Sequence, residues 1–133
     1  MKIKELETEL RIEYDKVLNV LGEVGSTDSN LNQLYKQKNT NAQIYILKTI
    51  GHENVLRATL GQITKNSSIE NLSTFLENEI KTLNTIFTNK NTVEDEFFNI
   101  YFHENINEFN TQLKLMQYGQ YETYTKIKEK IKK

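Results

Sequence analysis

No proline interrupts this chain of 133 residues, and that absence constrains its fold more than any other feature. Proline removes a helix hydrogen bond and clashes with the preceding turn. A proline-free sequence whose apolar residues recur at helical spacing is therefore free to run long helices. Five glycines, Gly22, Gly25, Gly51, Gly61 and Gly119, are the strongest punctuation left.

Projected at about 100° per residue, the apolar side chains fall into four stripes. Segment A, residues 2 to 22, aligns Ile3, Leu6, Leu10, Tyr14, Val17 and Leu21, and closes at Gly22-Glu23-Val24-Gly25. Segment B starts near Ser29 and aligns Leu31, Leu34, Tyr35, Ala42, Tyr45, Ile46 and Thr49, then Leu56, Leu60 and Ile63. Its phase survives Gly51, which favours one helix to about Lys65. The β-branched and aromatic residues of 42–50 would also suit a strand, but no second strand-like run exists to pair with it.

Segment C opens at Ser67-Ser68-Ile69-Glu70, whose S-x-x-E spacing reads as a capping box. It aligns Ile69, Leu72, Leu76, Ile80, Leu83 and Phe87. Segment D opens near Asn91, with Glu94, Asp95 and Glu96 suited to the positive end of the helix dipole. Its stripe runs through Phe98, Phe102, Ile106, Phe109, Leu113 and Met116 to Tyr124, Ile127 and Ile131, unbroken in phase at Gly119.

These segments predict an all-α fold, an antiparallel bundle of four helices in the order short, long, short, long, or five if Gly51 or Gly119 breaks a helix. Residues 1–133 form one domain on the size prior. Leu10, Leu60, Leu76, Phe102 and Ile106 are expected at the core. At about 1.5 Å per residue, segments A and C reach about 33 Å and segments B and D about 54 and 57 Å. Stacked up and down, D overruns its neighbours from about Tyr118. Residues 119–133 would then either protrude, to dock on a second copy or a partner, or fold back. Tyr124, Ile127 and Ile131 would be left uncovered.

The chain has no cysteine, which removes disulfides and thiolate chemistry together. Its first residues, Met1-Lys2-Ile3-Lys4-Glu5, lack the apolar run of a secretory leader, and no stretch approaches a membrane span. A cytoplasmic location is the expectation. The net charge is −1, too small for an overall electrostatic nucleic-acid binder. That sum conceals alternation: residues 1–30 carry −3, 31–66 carry +4, 67–108 carry −6 and 109–133 carry +4. Neighbouring helices with mutually attractive faces would explain the pattern.

No motif for catalysis, metal or cofactor emerges. His52 and His103 are each followed by Glu, but Leu56 and Asn107 stand where a zinc-binding helix needs its second His. Neither has a visible partner for acid–base work. Glu94, Asp95 and Glu96 diverge by about 100° per residue and cannot converge on one ion. The match of His52-Glu53-Asn54-Val55 with His103-Glu104-Asn105-Ile106 is too short to be a repeat.

More informative is the apolar surface that a single buried stripe leaves over. Ile44, Leu47, Ile50 and Val55 lie opposite the main stripe of B, and Phe97, Ile100, Tyr101, Leu115 and Tyr118 opposite that of D. A helix apolar on two sides is either central or part of an interface. The expectation is a non-enzymatic protein-interaction module, of the inhibitor, immunity-type or assembly-factor kind, that binds a protein partner or itself as a homodimer. Its contact residues are expected to be Ile44, Leu47, Phe97, Tyr101, Leu115, Tyr118, Tyr121, Tyr124, Ile127 and Ile131. The alternative is a nucleic-acid-associated protein that uses the basic segments 36–57 and 126–133, with aromatics stacking on bases.

Overall fold

The computed structural model of the protein describes residues 2–23, 40–65, 68–87 and 109–132. They form four helices: α1 (Ile3–Glu23), α2 (Thr40–Lys65), α3 (Ile69–Phe87) and α4 (Phe109–Lys132). No strand occurs among the described residues, and 42–50 is helical. No helix there is long and apolar enough to cross a membrane. Segments B and D were expected to begin earlier, and those parts, with Phe102, Ile106 and His103, lie outside the described residues.

The stripe of α1 is used as its spacing predicts. Leu6, Leu10, Val17 and Leu21 enter the main core, with Ile3 and Tyr14 packed against it. Helix α3 contributes Leu72, Leu76 and Leu83 to the same core, and Ile80 packs alongside. Its N-terminus differs in detail from the capping box. The amide of Asn71 donates to Ser68 Oγ at 3.4 Å, so Ser68 is the N-cap, and its carbonyl accepts from Leu72 N.

Helices α2 and α4 make the broadest helix–helix contact in the fold. Each presents a buried row with a residue every four positions. On α2 the row is Gln43, Leu47, Gly51, Val55, Thr59 and Ile63; on α4 it is Thr111, Leu115, Gly119, Thr123 and Ile127. Rows of this spacing interdigitate in the commonest class of helix packing in globular proteins. Both helices run unbroken through their glycines, so the five-helix alternative does not apply at Gly51 or Gly119. The glycines mark the crossing. A Cβ on Gly51 would collide with the Met116 carbonyl, and one on Gly119 with the backbone of Lys48.

Above the crossing, Ile44, Ile46 and Leu47 of α2 enclose Leu115 of α4 in a small second cluster. Below it, Val55, Leu56, Leu60 and Ile63 join Tyr124 and Ile127 in the main core. N-terminal half thus meets N-terminal half, and the two helices run in the same sense. Helix α1 runs against both: Glu13 bonds His52, while Glu9 reaches Lys130 near the end of α4.

This arrangement corrects the expected overrun of α4. Helix α4 is straight through Gly119, yet Tyr124 and Ile127 are buried within the monomer and Ile131 packs against the same core. The up-and-down order itself leaves α2 and α4 in the same sense, as observed; the overrun is absent because α4 packs directly against α2 at the glycines. There α4 crosses α2, which brings its C-terminal half over α1 and α3. Leu113, expected on the buried stripe, is 38% exposed, because the buried direction of α4 follows the four-residue row and rotates around the helix.

The alternating segment charges are met by pairs between helices. Glu9–Lys130 joins α1 to α4 at 3.1 Å, Glu77–Lys128 joins α3 to α4 at 3.6 Å, and Lys48–Glu122 joins α2 to α4 at 2.8 Å. Each is partly exposed and contributes modestly to stability.

Candidate functional site

The polar residues of α1, α2 and α4 converge on a groove beside the crossing. Its floor is the pair His52 Nε2 and Glu13 Oε1, 2.9 Å apart across the α1–α2 seam. The hydrogen bond from His52 holds the Glu13 carboxyl below its ordinary range against the opposing effect of burial, and the charges of His52, Lys130 and Lys126 act in the same direction. On one side of this floor is a hollow of about 220 Å³ that reaches Lys48, Glu122, Thr123, Lys126 and Lys130. On the other is a hollow of about 290 Å³ that reaches Lys16, Val17 and Val20. Glu13, Tyr45, Thr49 and His52 line both.

Tyr45 lines both hollows, and its position corrects the sequence reading. It was expected on the buried stripe of α2, but it is 59% exposed, the most exposed of the large apolar residues among those described. The stripe is buried at Leu56, Leu60 and Ile63. It becomes polar at His52 and Thr49, where α2 passes beside the charged face of α1, and Tyr45 stands beyond that point. Polar residues inside an otherwise apolar stripe were the signal available in the sequence.

The chemistry of the groove is largely committed. Thr49 Oγ1 donates to the Tyr45 carbonyl at 2.7 Å and Thr123 Oγ1 to the Gly119 carbonyl at 2.8 Å, so both hydroxyl protons face backbone. Lys48 Nζ lies 2.8 Å from Glu122 and 5.0 Å from the centre of the Tyr118 ring, a cation–π contact. Among the described residues no group of three or more His, Asp or Glu side chains is placed to hold a metal ion.

The residues expected to bind a partner separate into three sets. Ile44, Leu47 and Leu115 fill the second cluster between α2 and α4, and Tyr124 and Ile127 lie in the main core. These five are buried by the chain's own helices. The second apolar side of α2 is therefore explained by α4. Tyr118, Tyr121 and Ile131 are half-buried, while Phe97 and Tyr101 lie outside the described residues. Of the eight that are described, Ile127 lines the groove. Of the residues singled out for other reasons, His52 has the partner that its sequence neighbours could not reveal, because Glu13 lies 39 positions away.

No family model matches this chain, and neither a curated protein nor a solved structure matches it.

Proposed function

We propose that this chain is a non-enzymatic protein-interaction module of the inhibitor, immunity-type or assembly-factor kind, and that its partner protein docks over Tyr45. The observation that carries the reading is the exposure of that ring at the junction of two hollows. A tyrosine offers large, rigid contact area with a polar tip, and such residues dominate the binding energy of protein interfaces. The groove around it holds paired charges of both signs, as interface rims do.

The non-enzymatic part of the reading draws support from the groove's chemistry. A His–Glu pair could serve a base, but the two threonine hydroxyls beside it donate to backbone carbonyls and the Lys48 amine is held by Glu122. The nucleic-acid alternative is disfavoured by the same kind of observation. Of the cations in its two basic segments, Lys48, Arg57, Lys128 and Lys130 each face a glutamate, where phosphate binding needs charge to spare.

The test is affinity purification of the full chain from its native cell, with wild type and Tyr45→Ala in parallel. We expect a protein recovered in stoichiometric amount with the wild type and lost with the variant, while thermal unfolding of the two is alike. Recovery of nucleic acid that salt removes, or of the same proteins by both forms, overturns the reading.

A further inference from the structure

Beyond the docking of a protein over Tyr45, on which this inference rests, the residual charge of the groove specifies what kind of protein segment fits. Both carboxylates lining it are occupied internally: Glu13 by His52 at 2.9 Å and Glu122 by Lys48 at 2.8 Å. Lys130 is turned toward Glu9. Among the described residues, two lining cations stand outside the ion pairs named above, Lys16 in the hollow toward α1 and Lys126 in the hollow toward α4, and both are exposed. An exposed aromatic ring thus lines two hollows, each carrying one lysine beyond these ion pairs.

We propose that the groove takes an acidic segment of a partner protein, with carboxylates reaching Lys16 and Lys126 on either side of an apolar side chain laid against Tyr45. Complementary charge of this kind fixes register and speeds encounter, while the apolar contact supplies affinity. A nucleic-acid strand fits less well. Its phosphates recur at every step, and the lining of the groove carries Glu13 and Glu122 as well as lysines.

The test uses the full chain and defined probes. A peptide of alternating glutamate and serine with a central phenylalanine is titrated against the protein, followed by amide resonances. The comparison probes are the same peptide with lysine for glutamate, with alanine for phenylalanine, and oligo-thymidylate of matched charge. The expected result is binding of the acidic phenylalanine peptide with shifts centred on Tyr45, Thr49 and Lys126. That binding should weaken by roughly tenfold or more in Lys16→Glu/Lys126→Glu, and to a smaller extent in Lys16→Gln/Lys126→Gln, with unfolding unchanged. No binding of the acidic peptide, equal binding of the lysine peptide or the oligonucleotide, or indifference to both double variants overturns the proposal. Self-association of the free protein that the charge reversal abolishes also overturns it, in favour of a second copy. In any of the peptide failures, loss of the co-purifying protein in Tyr45→Ala would still stand, so failure of the acidic specificity is distinct from failure of the docking reading.

Discussion

Gly51 and Gly119 face each other's helix at a single crossing: the first lies against the Met116 carbonyl and the amide of Gln120, the second against the backbone of Lys48. Each helix therefore places a glycine opposite a residue three positions from the other's glycine. The absence of two Cβ atoms lets α2 and α4 meet backbone to backbone, which seals the rows of side chains on either side of the crossing.

Alanine at either crossing glycine should consequently destabilise, although alanine is the better helix former by about 1 kcal/mol. The added Cβ meets backbone atoms that cannot rotate away, so the helices must separate, at a cost of about 1 to 3 kcal/mol or more. Gly61 provides the internal control. It lies in α2 with nothing near its Cβ direction, and Gly61→Ala should stabilise by up to about 1 kcal/mol. Urea midpoints of the three variants decide the matter. Equal shifts for Gly51→Ala and Gly61→Ala would remove the crossing.

The row on α2 contains one polar group that is fully buried and unsatisfied, Thr59 Oγ1. Burying a hydroxyl without a partner costs about 1 to 3 kcal/mol. Thr59→Val keeps the branched shape and removes that cost, so the denaturant midpoint should rise by the equivalent of about 1 kcal/mol. Leu76→Ala, by contrast, empties a fully buried site of the main core and should lower stability by about 2 to 5 kcal/mol. A destabilised Thr59→Val would mean that the hydroxyl has a partner.

How much of this was legible in the sequence follows from which signals are local. The stripes of α1 and α3 were readable because each helix has one wet side, and Leu10, Leu60 and Leu76 are buried as their spacing requires. The rows joining α2 to α4 were not. They are built from Gln43, Gly51, Thr59, Thr111, Gly119 and Thr123 as much as from aliphatic residues, and small or polar residues in a tight helix crossing do not register as hydrophobic periodicity. For the same reason Ile44, Leu47 and Leu115 read as a spare face when they are the crossing's own filling. The groove was invisible for a different reason. Glu13 and His52, Lys48 and Glu122, and Glu9 and Lys130 meet only once three helices are assembled.

Tyr124 carries an alkaline signature. Burial, with a smaller contribution from the charge of Glu79, pushes its phenol up to about 12, while the unfolded chain ionises near 10. Between those values the unfolded state releases a proton that the folded state keeps. Stability is therefore complete below about pH 10 and falls as pH rises toward 12, by on the order of 2 to 3 kcal/mol. Tyr124→Phe preserves the edge-to-face contact with Phe75, whose ring centre lies 6.1 Å away, and should be near neutral at pH 7. Its stability should fall less steeply than that of the wild type between pH 10 and 12. Parallel curves for the two proteins would show that the phenol keeps its ordinary pKa.

The Glu13–His52 pair makes the opposite prediction on the acid side. The Glu13 carboxyl is held below its ordinary range, first by the hydrogen bond from His52. Its contribution to stability is therefore present above the unfolded carboxylate pKa, near 4.3, and is lost as pH falls from there through the depressed folded value. Glu13 is partly exposed, so solvent screening limits the pair to about 0.2 to 1 kcal/mol. A double-mutant cycle with Glu13→Gln and His52→Gln isolates this coupling from the cost of each substitution alone. Measured at pH 6, where the carboxylate is ionised, the coupling should be favourable, and added salt should reduce it. Below the folded pKa of Glu13 it should vanish. A coupling that is zero at both pH values would leave His52 and Glu13 as neighbours without interaction, and the floor of the groove would then not be held by this pair.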